Sequence, residues 1–99
     1  MKKICFSLIS LSMLVGCATR FTPEGAKVRV INTTVAVQCR HLGMVSSFKA
    51  AFDGGAKAAQ VDIRNRTAAA GGNAVVLLSF EPDGYGGAEY TGDAYNCTF

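Results

Sequence analysis

The spacing of apolar and polar residues divides the chain into one apolar run near its start, interrupted only by serines, and several shorter patterned segments. Residues 28–37 alternate valines with polar residues on either side of a polar centre at 32–34. This alternation predicts a first strand with a bend at its middle. Residues 42–48 predict a second, short strand after Gly43.

A helical pattern follows the breaker at 53–55 and ends at the breaker Gly71–Asn73. Glycine just after the last turn adopts the left-handed cap without strain, so Gly71 is a good helix end. The apolar residues of this helix share one stripe, with Thr67 on the same side: Ala56, Ala59, Ile63 and Ala70.

Two further strands are predicted after the helix. Residues 74–80 contain the apolar run Val75–Leu78, which is typical of a central strand buried on both faces. A turn rich in glycine at 81–87 leads to the alternating segment 88–97. The order strand, strand, helix, strand, strand predicts an α+β fold, with one helix packed on a three- to four-stranded mixed sheet.

The start of the chain has the layout of a secretory signal. Lys2 and Lys3 precede an apolar run of about 12 residues, which is short of the ~20 needed for a permanent membrane span. The junction Leu14–Cys17 resembles the bacterial lipobox, and this resemblance implies cleavage before Cys17 and lipidation of its thiol and new amine. Several acyl chains would anchor the protein stably in a bilayer, its predicted lipid partner.

Three regions follow from this junction: a lipoprotein signal peptide (residues 1–16), the lipidated cysteine with a tether (17–26) and a small α+β domain (27–99). By resemblance to enterobacterial sorting, Ala18 favours the outer membrane, facing the periplasm. Cleavage would leave eight basic residues of ten against seven acidic ones. The remaining charge is nearly balanced, so a nucleic-acid partner is not expected.

Two of the four cysteines remain once Cys5 and Cys17 are assigned to the signal and the lipid. In the oxidising periplasm we expect Cys39 and Cys97 to form a disulfide. The alternative is a reactive or metal-binding pair. A metal site would need further ligands, and only His41 lies near Cys39 in the sequence.

Four patches of the sequence resemble a known family. They are residues 28–30, Cys39–Gly43, Ile63–Asn73 and Gly92–Cys97, preceded by the lipobox. Together they resemble the small proteobacterial lipoproteins of the domain-of-unknown-function family DUF4156, to which no activity is attached. A more distant similarity is to the outer-membrane lipoprotein sensors of the Rcs envelope-stress phosphorelay.

No catalytic motif accompanies these patches. His41 is the single histidine, and no serine lies in a Gly-x-Ser-x-Gly context. Gly54–Lys57 lacks the spacing of a phosphate-binding loop, so a helix start is the better interpretation. We therefore expect neither an enzyme nor a cofactor or metal.

The sequence favours a non-enzymatic adaptor or sensor that binds another envelope protein. Its candidate surface is the loop with Asp83 and Tyr85, together with Tyr90 and Tyr95 on the last predicted strand. The alternative function is the binding of peptidoglycan or a small envelope ligand by the tyrosines.

Overall fold

The computed structural model describes residues 20–99, so the predicted signal peptide and Cys17 lie outside the described residues. Short 3-10 turns at Gly25–Lys27 and Ala51–Asp53 accompany the regular elements. In chain order the regular elements are β1 (Arg29–Val30), α1 (Thr33–Ala36), β2 (Arg40–Lys49), α2 (Gly55–Ala69), β3 (Ala74–Pro82) and β4 (Ala88–Asn96).

The strands form one mixed sheet in the order β1-β3-β4-β2. β1 is parallel to β3, whereas β4 is antiparallel to both β3 and β2. β2 and β3 are therefore parallel, joined by α2, with β4 inserted between them. The predicted α+β class, the single long helix and the final hairpin are confirmed.

The predicted first strand from residue 28 to 37 is wrong beyond Val30, where β1 ends. The side chain of Asn32 accepts a hydrogen bond of 2.9 Å from the backbone N–H of Val35, which caps α1. A capping asparagine offers the backbone an alternative to the sheet, so the alternating valines enter a helical turn instead. Val35 and Val37 are exposed as a result.

β2 is longer than the predicted segment 42–48, because the strand continues through a bulge next to Gly43 instead of starting after it. Its φ of 138° suits glycine, and the register against β4 shifts between His41 and Gly43.

α2 lies over β2 and β4 and closes the core with its predicted stripe. Ala59, Ile63 and Thr67 are fully buried, and the Thr67 hydroxyl donates to the Ile63 carbonyl at 2.9 Å. This bond satisfies the polar group inside the core. Ala70 does not belong to the stripe, because the helix ends at Ala69 and Ala70 is exposed.

β3 lies between β1 and β4, as predicted for a central strand, but it is buried only at its beginning. Val75 and Val76 are buried, whereas Leu78 is 50 % exposed. The two-residue β1 covers β3 only at Ala74 and Val75, so the remainder of β3 is a sheet edge.

Residues 20–28 run beside α2 and are held by two of its side chains. The Asn65 amide donates to the Arg20 carbonyl at 2.8 Å and accepts from the Thr22 N–H at 2.9 Å. The Arg64 guanidinium donates to the Val28 carbonyl at 2.9 Å. The part of the predicted tether that the structure describes is therefore docked on the helix layer.

Candidate functional site

The two cysteines of the domain are joined at one end of the sheet. Cys39 directly precedes β2 and Cys97 directly follows β4, with Cα atoms 4.5 Å apart in a disulfide. The Asn73 amide supports this end, because it accepts from the Cys97 N–H and donates to the Cys97 carbonyl, both at 2.8 Å. The predicted disulfide is confirmed, and the residues described contain no group of side chains arranged to hold a metal ion.

Asp83, predicted on the candidate surface, organises its own loop. Its Oδ1 atom accepts the backbone N–H groups of Tyr85 at 2.7 Å and Gly87 at 3.0 Å. These bonds shape the turn between β3 and β4, so this carboxylate oxygen already has partners. Tyr85 projects from the same loop and is 86 % exposed.

Tyr90 and Tyr95 do not share a surface with each other. They lie five residues apart on β4, which runs without a bulge of its own, so their side chains point to opposite faces. Tyr90 is paired with Ser47, whose hydroxyl donates to Asp62 of α2, and it packs against Phe80 with ring centres 4.9 Å apart. The three tyrosines therefore form no common patch.

Tyr95 belongs to the face of the sheet that points away from α2, and its ring lies 5.1 Å from that of His41. Residues paired across the strands share this face, which we name the open face. Its members on the three long strands, of which Ala74 and Val76 are buried, are His41, Met44, Ser46, Phe48, Ala74, Val76, Ser79, Glu81, Glu89, Thr91, Asp93 and Tyr95.

The open face carries large exposed apolar side chains along β2. Met44 is 67 % exposed and Phe48 is 52 % exposed, and both lie on the outermost strand. His41 Nε2 donates a 3.0 Å hydrogen bond to Asp93 Oδ1, and the His41 side chain remains 53 % exposed. His41 is thus a hydrogen-bonded surface residue.

Two glutamates occupy neighbouring positions at the far end of this face. Glu81 on β3 pairs directly with Glu89 on β4, and Phe48 lies on the other side of Glu89. Like charges placed directly opposite each other destabilise a sheet. The ion pairs among the described residues join other groups, His41 to Asp93 and Arg66 to Asp62.

The opposite face has a partly buried carboxylate between sheet and helix. Asp62 Oδ2 accepts hydrogen bonds from the Ser47 hydroxyl at 2.5 Å and from Arg66 Nε at 2.7 Å. Burial is the largest single influence on the Asp62 pKa and raises it. The hydrogen bonds from Ser47 and Arg66, with the charges of Arg66 and Lys49, outweigh burial, so the pKa lies below its usual value of 3.8.

Sequence reasoning missed the residues that define these surfaces. Met44 and Phe48 were assigned only to a strand, because alternation does not reveal which face a helix covers. Arg64 and Asn65 appeared only as part of a family patch, and their contacts to residues 20–28 depend on a long-range approach. Gly25 is the one sequence signal for the close approach of this segment to α2, since a Cβ at this position would clash with the Asn65 side chain.

Within the described residues, no helix combines the length and apolar character that crossing a membrane requires. No curated protein matches this chain. The domain of unknown function DUF4156 matches it over residues 19–97, from just before the docked segment to the second cysteine of the disulfide. The more distant resemblance to Rcs sensors stays a prediction. The chain belongs to the DUF4156 family.

Proposed function

We propose that this protein is a lipid-anchored, non-enzymatic adaptor of the bacterial envelope. In this proposal Cys17 holds it in the outer membrane, and the open face binds another envelope protein in the periplasm. The observation that carries the proposal is the exposure of Met44 and Phe48 on a sheet face that α2 leaves uncovered. Exposed apolar groups rimmed by polar residues are typical of interaction surfaces.

The position of the docked segment, residues 20–28, indicates how an anchored domain would be oriented relative to the membrane. Arg20 is bound to Asn65 on the helix layer and lies three residues after Cys17. Three residues span at most about 11 Å. A lipid anchor at Cys17 would therefore hold the helix layer close to the membrane and turn the open face away from it.

The charges of the open face favour a partner with basic side chains. Glu81 and Glu89 repel each other in the free protein, and a Lys or Arg placed between them would remove this repulsion. Met44 and Phe48 would contribute apolar contact beside the charged pair. The partner chemistry we propose is an apolar segment carrying at least one basic residue.

Photo-crosslinking from the open face tests this proposal. A photoreactive amino acid replacing Ser79 in the full-length lipoprotein should give a defined protein adduct in intact cells. The same amino acid replacing Lys57, an exposed residue at the start of α2, is the positional control. We expect the Ser79 adduct to disappear in the variant with both Glu81→Lys and Glu89→Lys.

The charge control is Glu24→Lys, because Glu24 is exposed on the docked segment and lies away from the open face. This variant should keep the adduct. An adduct that survives reversal of both open-face glutamates, or that forms equally from position 57, would contradict the proposed surface.

The alternative of peptidoglycan or small-ligand binding was based on a shared tyrosine surface. Tyr90 and Tyr95 point to opposite faces, so that arrangement offers it no support. Retention of the protein on purified cell-wall sacculi, lost on Tyr85→Ala, would restore the alternative.

A further inference from the structure

β2 has a long free edge. It is the outermost strand of the sheet, and among the described residues no other strand pairs with its outer side. The register from Gly43 to Lys49 is regular, without a bulge or a proline. By contrast, the free part of β3 is interrupted by a bulge between Leu77 and Ser79 and ends at Pro82. Bulges and prolines block the addition of a strand, so β2 is the open edge of this sheet.

The hydrogen-bond pattern shows which residues offer their backbone at this edge. The Ile31 N–H donates to the Val75 carbonyl, so the backbone of Val75 points toward β1 and that of Val76 points toward β4. The side to which the backbone N–H and C=O groups point alternates from residue to residue along every strand. Two residues paired across neighbouring antiparallel strands point their backbone groups either both toward each other or both away from each other. Following this alternation across β4, the outward N–H and C=O groups of β2 belong to Met44, Ser46 and Phe48.

We propose that β2 pairs with β2 of a second copy of this chain, antiparallel and centred on Ser46. This proposal goes beyond the adaptor function. Ser46 then lies opposite Ser46 of the other copy, and Met44 lies opposite Phe48 in both directions. Each of these pairs exchanges two backbone hydrogen bonds, because all three residues present their backbone outward.

The side chains fit this register. Met44 and Phe48 are exposed in the single chain and become cross-strand neighbours in the pair. A thioether beside an aromatic ring is a favourable contact, and cross-strand apolar pairs are a main source of sheet stability. Ser46 at the centre is small and polar, so two copies meet without a clash or a repelling charge.

The position of Arg20 is compatible with two copies anchored in the same membrane. Paired residues share a face, so both α2 helices lie on the same side of the eight-stranded sheet, and the twofold axis is perpendicular to the sheet. Both Arg20 residues, bound to Asn65 in the helix layers, then lie on this same side. With the proposed anchor three residues before Arg20, both copies can be held in one membrane.

The pairing surface is small. One pair of seven-residue strands is a modest contact compared with the roughly 1,200–2,000 Å² of stable complexes. Confinement to one membrane raises the effective concentration of the second copy and offsets this weakness. The pairing is therefore tested with the full lipoprotein in its membrane.

A cysteine at position 46 tests the register directly. Residues in a hydrogen-bonded antiparallel pair have Cα atoms about 5.5 Å apart, within the range of about 4.4–6.8 Å that a disulfide bridges. Cys39 and Cys97 are bonded to each other, so the introduced thiol has no competitor among the described residues. Ser79→Cys is the matched control, since Ser79 is an exposed serine on the same face near the other edge.

After oxidation with copper phenanthroline in membranes, we expect Ser46→Cys to migrate as a reducible homodimer and Ser79→Cys as a monomer. Adding Phe48→Lys should reduce the Ser46→Cys dimer at least fivefold. Adding Phe80→Lys should leave the amount of dimer unchanged, although Phe80 is comparably exposed on β3.

Equal crosslinking from positions 46 and 79, absence of the dimer, or a disulfide adduct of the Ser46→Cys variant with another protein would overturn the proposal. Loss of the Ser79 photo-adduct upon reversal of the glutamates is independent of these outcomes.

Discussion

Asp62 links the helix to the sheet through one carboxylate oxygen. This atom accepts from Ser47 on β2 and from Arg66 one turn later on α2. The Asp62 pKa is lowered in the folded protein, so this carboxylate stabilises the fold above its unfolded pKa. The contribution is lost as the pH falls through the folded pKa.

We therefore expect Asp62→Asn to lower the free energy of unfolding at pH 7 by about 1–2 kcal/mol, because the bonds to Ser47 and Arg66 lose their charge assistance. The deficit relative to wild type should shrink as the pH falls below about 4. Denaturant unfolding at several pH values measures both effects. Asp53→Asn, which changes an exposed carboxylate, is the control. A deficit that stays constant down to pH 2 would contradict this role.

Several residue-scale features could be predicted because they follow from local chemistry. Gly71 adopts φ 92° just after α2, as the helix-ending pattern required. Asn32 was misread because its side chain can either cap a helix or sit in a bent strand, and only the 2.9 Å bond to Val35 decides between them. The role of Asn65 could not be predicted, since its partners lie more than 40 residues away.

At the scale of elements, the sequence predicted the helix, β3, β4 and the hairpin between them, because each has a strong period or a clear breaker. The pairing of β2 with β4 rather than β3 was not predicted, since alternation reports the faces of a strand and not its neighbour. The same limit explains β3. Its apolar run resembles a buried strand, yet only two residues of β1 cover it.

The disulfide joins the start of β2 to the end of β4, closing a loop with a sequence separation of 58 residues. In the chain-entropy model a loop of this size stabilises the folded state by roughly 4 kcal/mol. Because so small a domain buries only a limited core, the disulfide contributes a large share of its stability.

We expect the double variant Cys39→Ser with Cys97→Ser to lose about 4 kcal/mol of unfolding free energy. Wild-type protein unfolded with a reductant should match it, and the reductant should have no further effect on the variant. Chemical unfolding followed by circular dichroism measures these values. Equal midpoints for oxidised wild type and the double variant would show that the bridge does not stabilise the domain.

At the scale of the whole molecule, the two sides of the sheet differ in what covers them. α2 covers one side, and residues 20–28 are bound to the side chains of Asn65 and Arg64 on that helix. The open face and the β2 edge lie elsewhere on the sheet, where Met44 and Phe48 are exposed. A membrane anchor next to the docked segment would therefore leave both proposed contact surfaces free for protein partners.

The central claim is that the chain is anchored through Cys17, since the orientation of both surfaces depends on this anchor. Intact mass spectrometry of the protein extracted from membranes, alkylated with and without prior reduction, tests it most directly. We predict a triacylated chain beginning at Cys17, with two thiols that become alkylated only after reduction. A chain that begins elsewhere, or one that begins at Cys17 without lipid, would contradict the account.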